Sequence, residues 1–183
     1  MRKNLILFAS NTGNTRKVAG ELKKGFDRHG WESVLKEIPE DYDVKDPDFN
    51  FDDYDFLSVG SPVISELPLP RVREVLWSKW PGIHKVEVGP KCGIVFCTFG
   101  GAHLGMKEAE PTLKLLEVEV EHLSFKVIGS LAILGSMGGS ESDVFHPESY
   151  FGDLRGRPNE EDMRTVAGFV DDVVEKLEKE QGQ

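Results

Sequence analysis

A chain of 183 residues with 39% hydrophobic and 30% charged side chains has the length of a single domain, at roughly 100–200 residues each, and is too apolar to stay disordered. Acidic residues outnumber basic ones 32 to 22, a formal charge of −10, which excludes the basic stripes of general nucleic-acid binding and suits a partner with a basic surface. Two cysteines, Cys92 and Cys97, are too few for a disulfide framework or a four-thiolate zinc or iron–sulfur centre. They share one apolar run and are expected to point to opposite faces of a strand.

The apolar run Leu5–Phe8 falls short of a signal segment or membrane span, so the expectation is a soluble, reduced, cytoplasmic protein. Residues 5–9 are continuously apolar, as in a strand buried on both faces. Thr15, Val18, Ala19, Leu22 and Phe26 then recur at helical steps, and His29-Gly30 supplies a stop. Residues 31–38 read as a second strand. The acidic stretch 40–55 reads as a solvated excursion, with a docking surface for a basic partner as the sharper alternative. Residues 56–59 make a third strand, ended by Gly60-Ser61-Pro62. Pro70 fits the first position of a helix with Val72, Val75 and Leu76 inward, stopped by Pro81-Gly82.

Residues 92–96 form a fourth strand. The next helix buries Leu113, Leu116, Val120 and Leu123, and Pro111 either starts it or kinks a longer helix from Gly105. Residues 125–134 are the fifth strand. The stretch 136–158 is long for a structureless connection and carries Phe145, His146, Tyr150 and Phe151, so it is expected to fold over the sheet edge. A final helix follows, capped by Asn159, with acidic residues in its first turn and a stripe of Met163, Val166, Val170, Val173 and Leu177. Strands alternating with helices predict one α/β domain over residues 1–183, an open sheet with helices on both faces. Ligands of such sheets sit at the carboxyl ends of the strands, where strand order reverses.

The loop Ser10-Asn11-Thr12-Gly13-Asn14-Thr15 joins a buried strand to a helix start. Gly13 permits a tight turn, and free N–H groups at a helix start attract a phosphate. Hydroxyl and amide residues also serve simply as turn formers and caps. The loop lacks a lysine and matches neither the triphosphate cradle nor the three-glycine dinucleotide fingerprint, so its donors are neutral and suit a monophosphate. Gly100 to Lys107 nearly spells a triphosphate loop, but Met106 stands where the lysine belongs. His29, His84, His122 and His146 share no ligand spacing, and no metal site is expected. Trp77 and Trp80 read as packing residues at a helix end.

Residues 5–15 resemble the hydrophobic strand and S/T-x-T-G-x-T loop of the flavodoxin-like FMN-binding family. Gly60-Ser61-Pro62-Val63 and Thr98-Phe99-Gly100-Gly101 fall where that family places its two isoalloxazine loops. Residues 156–162 are similar to the start of its last helix. The resemblance implies a doubly wound, five-stranded parallel sheet of order 2-1-3-4-5. It implies FMN as cofactor, with Ser10, Asn11, Thr12, Gly13, Asn14 and Thr15 around the phosphate. Ser61, Pro62, Val63 and Ile64 would flank one side of the ring, and Thr98, Phe99, Gly100, Gly101 and His103 the other side or its polar edge. The first ring loop departs from the family's usual pattern in carrying no aromatic.

The leading expectation is an electron-transfer protein serving a redox protein partner, with no side chain nominated as catalytic. An FMN-dependent NAD(P)H oxidoreductase acting on quinone or flavin-type acceptors is the alternative, and a non-redox binding module on the same fold is a third. Neither membrane nor nucleic acid is an expected partner, and the oligomeric state stays open.

Overall fold

β1 (Lys3–Phe8) is buried from Asn4 onward. Its alternate side chains feed two separate cores, because successive residues of a strand face opposite ways. Leu5 and Leu7 join the core under α2 (Pro70–Ser78) and α3 (Glu110–His122). Ile6 and Phe8 join the core under α1 (Asn14–Arg28) and α4 (Glu160–Gln181). Burying each such side chain contributes about 1.5–3 kcal/mol. Residues 1–44, 48–78, 91–138 and 146–181 are described by this computed structural model.

The sheet runs β2 (Glu32–Glu37), β1, β3 (Phe56–Ile64), β5 (Cys92–Phe99), β6 (Lys126–Leu134), all parallel. Counting main strands, this is the expected order 2-1-3-4-5 with helices on both faces. Chain direction across the sheet reverses between β1 and β3, which opens a crevice at their carboxyl ends. Cys97 faces the first core and Cys92 packs on the second, so the two thiols do lie on opposite faces. The stripe Val166, Val170, Val173 and Leu177 is buried as read, with Met163 packed at its margin.

Several elements differ from the sequence reading. The third strand does not end at Gly60-Ser61-Pro62; it continues to Ile64. Ser61 and Pro62 stay in register with Cys97 and Thr98, and the strand then turns at Ser65 and Glu66 to pair antiparallel with β4 (Leu67–Pro68). Both turn residues have positive φ, 48° and 62°, the backbone that matches strand twist in a tight hairpin. Gly60 is a packing requirement rather than a stop, since a Cβ there would lie 2.1 Å from the Phe96 ring. Pro111 sits in the first turn of α3, which begins at Glu110, and Gly105–Glu108 is a separate 3-10 turn.

The acidic excursion is not simply solvated. Phe51 is buried in its own 3-10 turn (Phe51–Asp53), and Tyr42, Val44, Phe49 and Tyr54 pack against the core. The segment after β6 carries a small hairpin, β7 (Glu148–Ser149) with β8 (Gly152–Asp153), and buries Leu154. Asn159 caps α4 through Oδ1, which accepts from the N–H of Glu161 and Asp162. Pro81-Gly82, Trp80, His84 and Phe145 lie outside the described residues.

Candidate functional site

A cavity of about 250 Å³ opens at the carboxyl edge of the sheet, beside the β1/β3 reversal. Four chain segments wall it. The loop after β1 contributes Asn11, Thr12 and Asn14; the end of β3 contributes Pro62, Val63 and Ile64; the end of β5 contributes Thr98, Phe99 and Gly100. Residues 135–138, directly after β6, form the fourth wall, which the sequence reading missed. The signal was available: Gly135-Ser136-Met137-Gly138 follows a parallel strand, and the other three segments likewise lie at strand ends.

The first segment is held open by its own side chains. Gly13 adopts φ 91° as the residue before α1 and offers no side chain to cap it. Ser10 Oγ accepts from the N–H of Gly13 at 3.1 Å and of Arg16 at 3.4 Å, folding the loop around itself. Among the described residues no protein acceptor meets the N–H groups of Thr12, Asn14 or Thr15. Unspent donors at the positive end of a 15-residue helix form a concentrated anion-attracting surface.

Three bonds lock this loop to the rest of the rim. Asn14 Nδ2 donates to the Ser136 carbonyl at 2.7 Å, tying α1 to the fourth wall. Thr15 and Thr98 share a buried hydroxyl–hydroxyl bond of 2.8 Å, tying α1 to β5. Arg71, from the first turn of α2, donates through Nη2 to Asn11 Oδ1 at 2.7 Å and through Nε to the Ile38 carbonyl at 3.0 Å. A second arginine, Arg16, is paired with Glu37 by two bonds of 2.7 and 2.6 Å, and that pairing raises its pKa.

The other walls are mainly apolar. Gly100 is pressed by Met137, whose Sδ lies 2.9 Å from where a Cβ would be. Phe99 is met edge-on by Phe151 at 6.0 Å, and Gly101, at φ 62°, lies under the same Phe151 ring. Tyr150 N–H donates to the Gly101 carbonyl, so the β7–β8 hairpin lies over the loop after β5, as the aromatic content of that stretch suggested. No titratable side chain is among the described residues that line the cavity.

Not every residue singled out from the sequence reaches the cavity. Ser10, Gly13 and Thr15 shape the loop behind it. Ser61 Oγ is engaged in the hairpin, donating to the Pro62 carbonyl and accepting from Leu69 N–H at 2.8 Å each. Gly101 turns the chain away. His103 is exposed, with its ring edge-on to His146 at 5.3 Å. The backbone N–H groups of Ala102, His103 and Leu104 converge on the Glu108 carboxylate, which fills the nest that a phosphate would take in a triphosphate loop. Burial pushes the Glu108 carboxyl up, but these three donors and His103 outweigh it and hold its pKa below the ordinary value.

No protein-family model matches the sequence, and no curated protein matches it. Solved structures do. The chain superposes on rubredoxin oxygen:oxidoreductase from the anaerobe Desulfovibrio gigas with a TM-score of 0.67 at 16% identity, covering all of this chain and 38% of that one. It superposes on oxidised flavodoxin 1 of Bacillus cereus with a TM-score of 0.67 at 15% identity, over 94% of this chain and 97% of that one. Flavodoxin 2 of the same organism gives 0.64 at 22% identity, over 95% and 99% of the two chains. The chain spans well under half of the first of these proteins and nearly the whole of the other two. Its fold is flavodoxin-like.

Proposed function

We propose that this chain binds FMN non-covalently in the cavity at the β1/β3 reversal and serves as an electron-transfer protein. The observation that carries the reading is the polarity of that cavity. Unspent N–H groups, Thr12 and Asn14 stand at one end, and Pro62, Val63, Ile64, Phe99 and Met137 stand around the rest. That donor set fits the group: a phosphate tail wants convergent donors, and a flat apolar ring wants apolar walls. When bound, FMN would supply the redox chemistry, and the protein would supply position and electrostatics.

In this reading the loop 10–15 grips the phosphate, Pro62 to Ile64 flank one side of the ring, and Phe99, Gly100 and Met137 flank the other. Thr98 serves by holding Thr15 in place. A lining without titratable side chains suits transfer of electrons without proton delivery by the protein. The net charge of −10 favours a basic redox partner and disfavours added negative charge on the cofactor. Among the described residues no helix is long and apolar enough to cross a membrane.

The test is a titration of FMN with the purified protein, followed by fluorescence, with a visible absorption spectrum of the complex. Quenching at one-to-one stoichiometry is expected. Unquenched fluorescence at micromolar protein would sink the reading. Anaerobic NAD(P)H should leave the bound flavin oxidised until a reductase is added; rapid bleaching without one would replace the carrier by an oxidoreductase.

A further inference from the structure

We infer that Arg71 is the charge-compensating and specificity-determining residue of this pocket, the group that makes it select a phosphorylated flavin over the unphosphorylated one. The inference rests on the FMN reading above. Every donor that the loop 10–15 itself offers is neutral. Arg16 and Arg71 both stand beside the loop, and they differ in one respect. Arg16 is bound edge to edge by the Glu37 carboxylate, so its charge is already answered. Arg71 is held only by neutral oxygens, the Ile38 carbonyl and the Asn11 side-chain amide. Among the described residues, no carboxylate pairs with it, although acidic side chains outnumber basic ones by ten in this chain.

The position of Arg71 is otherwise unfavourable. It is the second residue of α2, where the helix dipole disfavours positive charge. The side chain leaves its own helix to reach Asn11, a residue lining the cavity. Two bonds fix the guanidinium plane and leave further N–H donors unspent, since the group carries five in a rigid fork. A fixed, uncompensated guanidinium beside a loop built to hold a phosphate acts on the phosphate and not on the ring. Its effect therefore falls on FMN and spares riboflavin.

Dissociation constants for FMN and for riboflavin, measured by flavin fluorescence quenching on wild type, Arg71→Met and Arg71→Lys, separate the possibilities. Arg71→Met is expected to weaken FMN about tenfold while riboflavin stays within about twofold, and Arg71→Lys should keep most of the FMN affinity, as a conserved charge dictates. The wild-type FMN constant should weaken with added KCl, and this slope should shrink in Arg71→Met. Equal losses for both flavins would mean that Arg71 only braces the loop and would overturn the inference, as would no change for either. The salt dependence of wild type keeps the test alive if a variant does not fold, and a flat response would count against the idea. A wild type that binds riboflavin and FMN equally would reject the role of Arg71 while leaving the flavin pocket standing; a wild type that binds neither would reject the pocket reading itself.

Discussion

The hydroxyl of Thr15, in the first turn of α1, meets the hydroxyl of Thr98, at the end of β5, at 2.8 Å inside the protein, with the two residues 1% and 4% exposed. This bond joins two segments 83 residues apart in sequence, and both contribute residues to the wall of the cavity. Removing one partner strands the other hydroxyl away from water. Thr15→Val or Thr98→Val alone should cost about 1–3 kcal/mol, and the double variant should cost less than the sum, because two apolar groups replace a satisfied pair. A double-mutant cycle in urea checks this; strict additivity would show that the pair is not coupled.

Asn14 carries the corresponding link to the fourth wall. Its amide donates to the Ser136 carbonyl, and a Cβ at Gly135 would come within 2.9 Å of Asn14 Nδ2. Asn14→Ala and Gly135→Ala should both weaken FMN binding, by about tenfold if one good hydrogen bond sets the loop geometry. Titration of each variant against FMN gives the answer. Unchanged affinity in both would separate the fourth wall from the cofactor.

Gly60 lies beneath the ring of Phe96, with ring atoms 2.1–2.6 Å from the place of a Cβ. Phe96 is fully buried. Gly60→Ala should destabilise the fold by about 1–3 kcal/mol or more through overpacking. Shortening the ring in Gly60→Ala/Phe96→Leu should return part of that loss. Thermal and urea unfolding of the single and double variants measure the coupling.

Glu108 gives the loop after β5 a pH dependence of known sign. Its carboxylate accepts three backbone N–H bonds, and its native pKa lies below the unfolded value. The stabilisation is therefore present in full above the ordinary carboxyl range and is lost as pH falls through the lowered native pKa. Glu108→Gln should cost about 1 kcal/mol at pH 7, a figure reduced for partial solvent exposure. The gap between wild type and variant should close as pH falls through the lowered native pKa, where the wild-type carboxyl also protonates. Urea midpoints at several pH values follow this; a constant gap would show that the charge is not involved.

Cys97 lies at 0% exposure between β3 and β6, and burial pushes its thiol pKa well up. It should resist a thiol reagent at pH 8 in the native protein and react once the chain is unfolded. Mass spectrometry of the labelled peptides distinguishes it from the half-buried Cys92.

The fold was legible in the sequence because its signals are local and periodic. The apolar run at residues 5–9, the helical stripes of α1 and α4, and the Asn159 cap each depend on neighbours a few residues away. The same holds for the loop 10–15, whose glycine, hydroxyls and amides sit together between a strand and a helix. The true end of β3 was not legible: Gly60-Ser61-Pro62 looks like a stop, and only the Phe96 ring above Gly60 and the β5 ladder beside Ser61 and Pro62 explain why the strand runs on. Although the place of Gly135–Gly138 after a parallel strand was legible, the contacts of Arg71 and Ser136 at the rim were not, for a related reason. Their partners, Asn11 and Asn14, lie 60 and 122 residues away from Arg71 and Ser136. Local pattern decides which segments become strands and helices; which side chains meet across the carboxyl edge of the sheet is decided by strand order, and that is a property of the assembled layers alone.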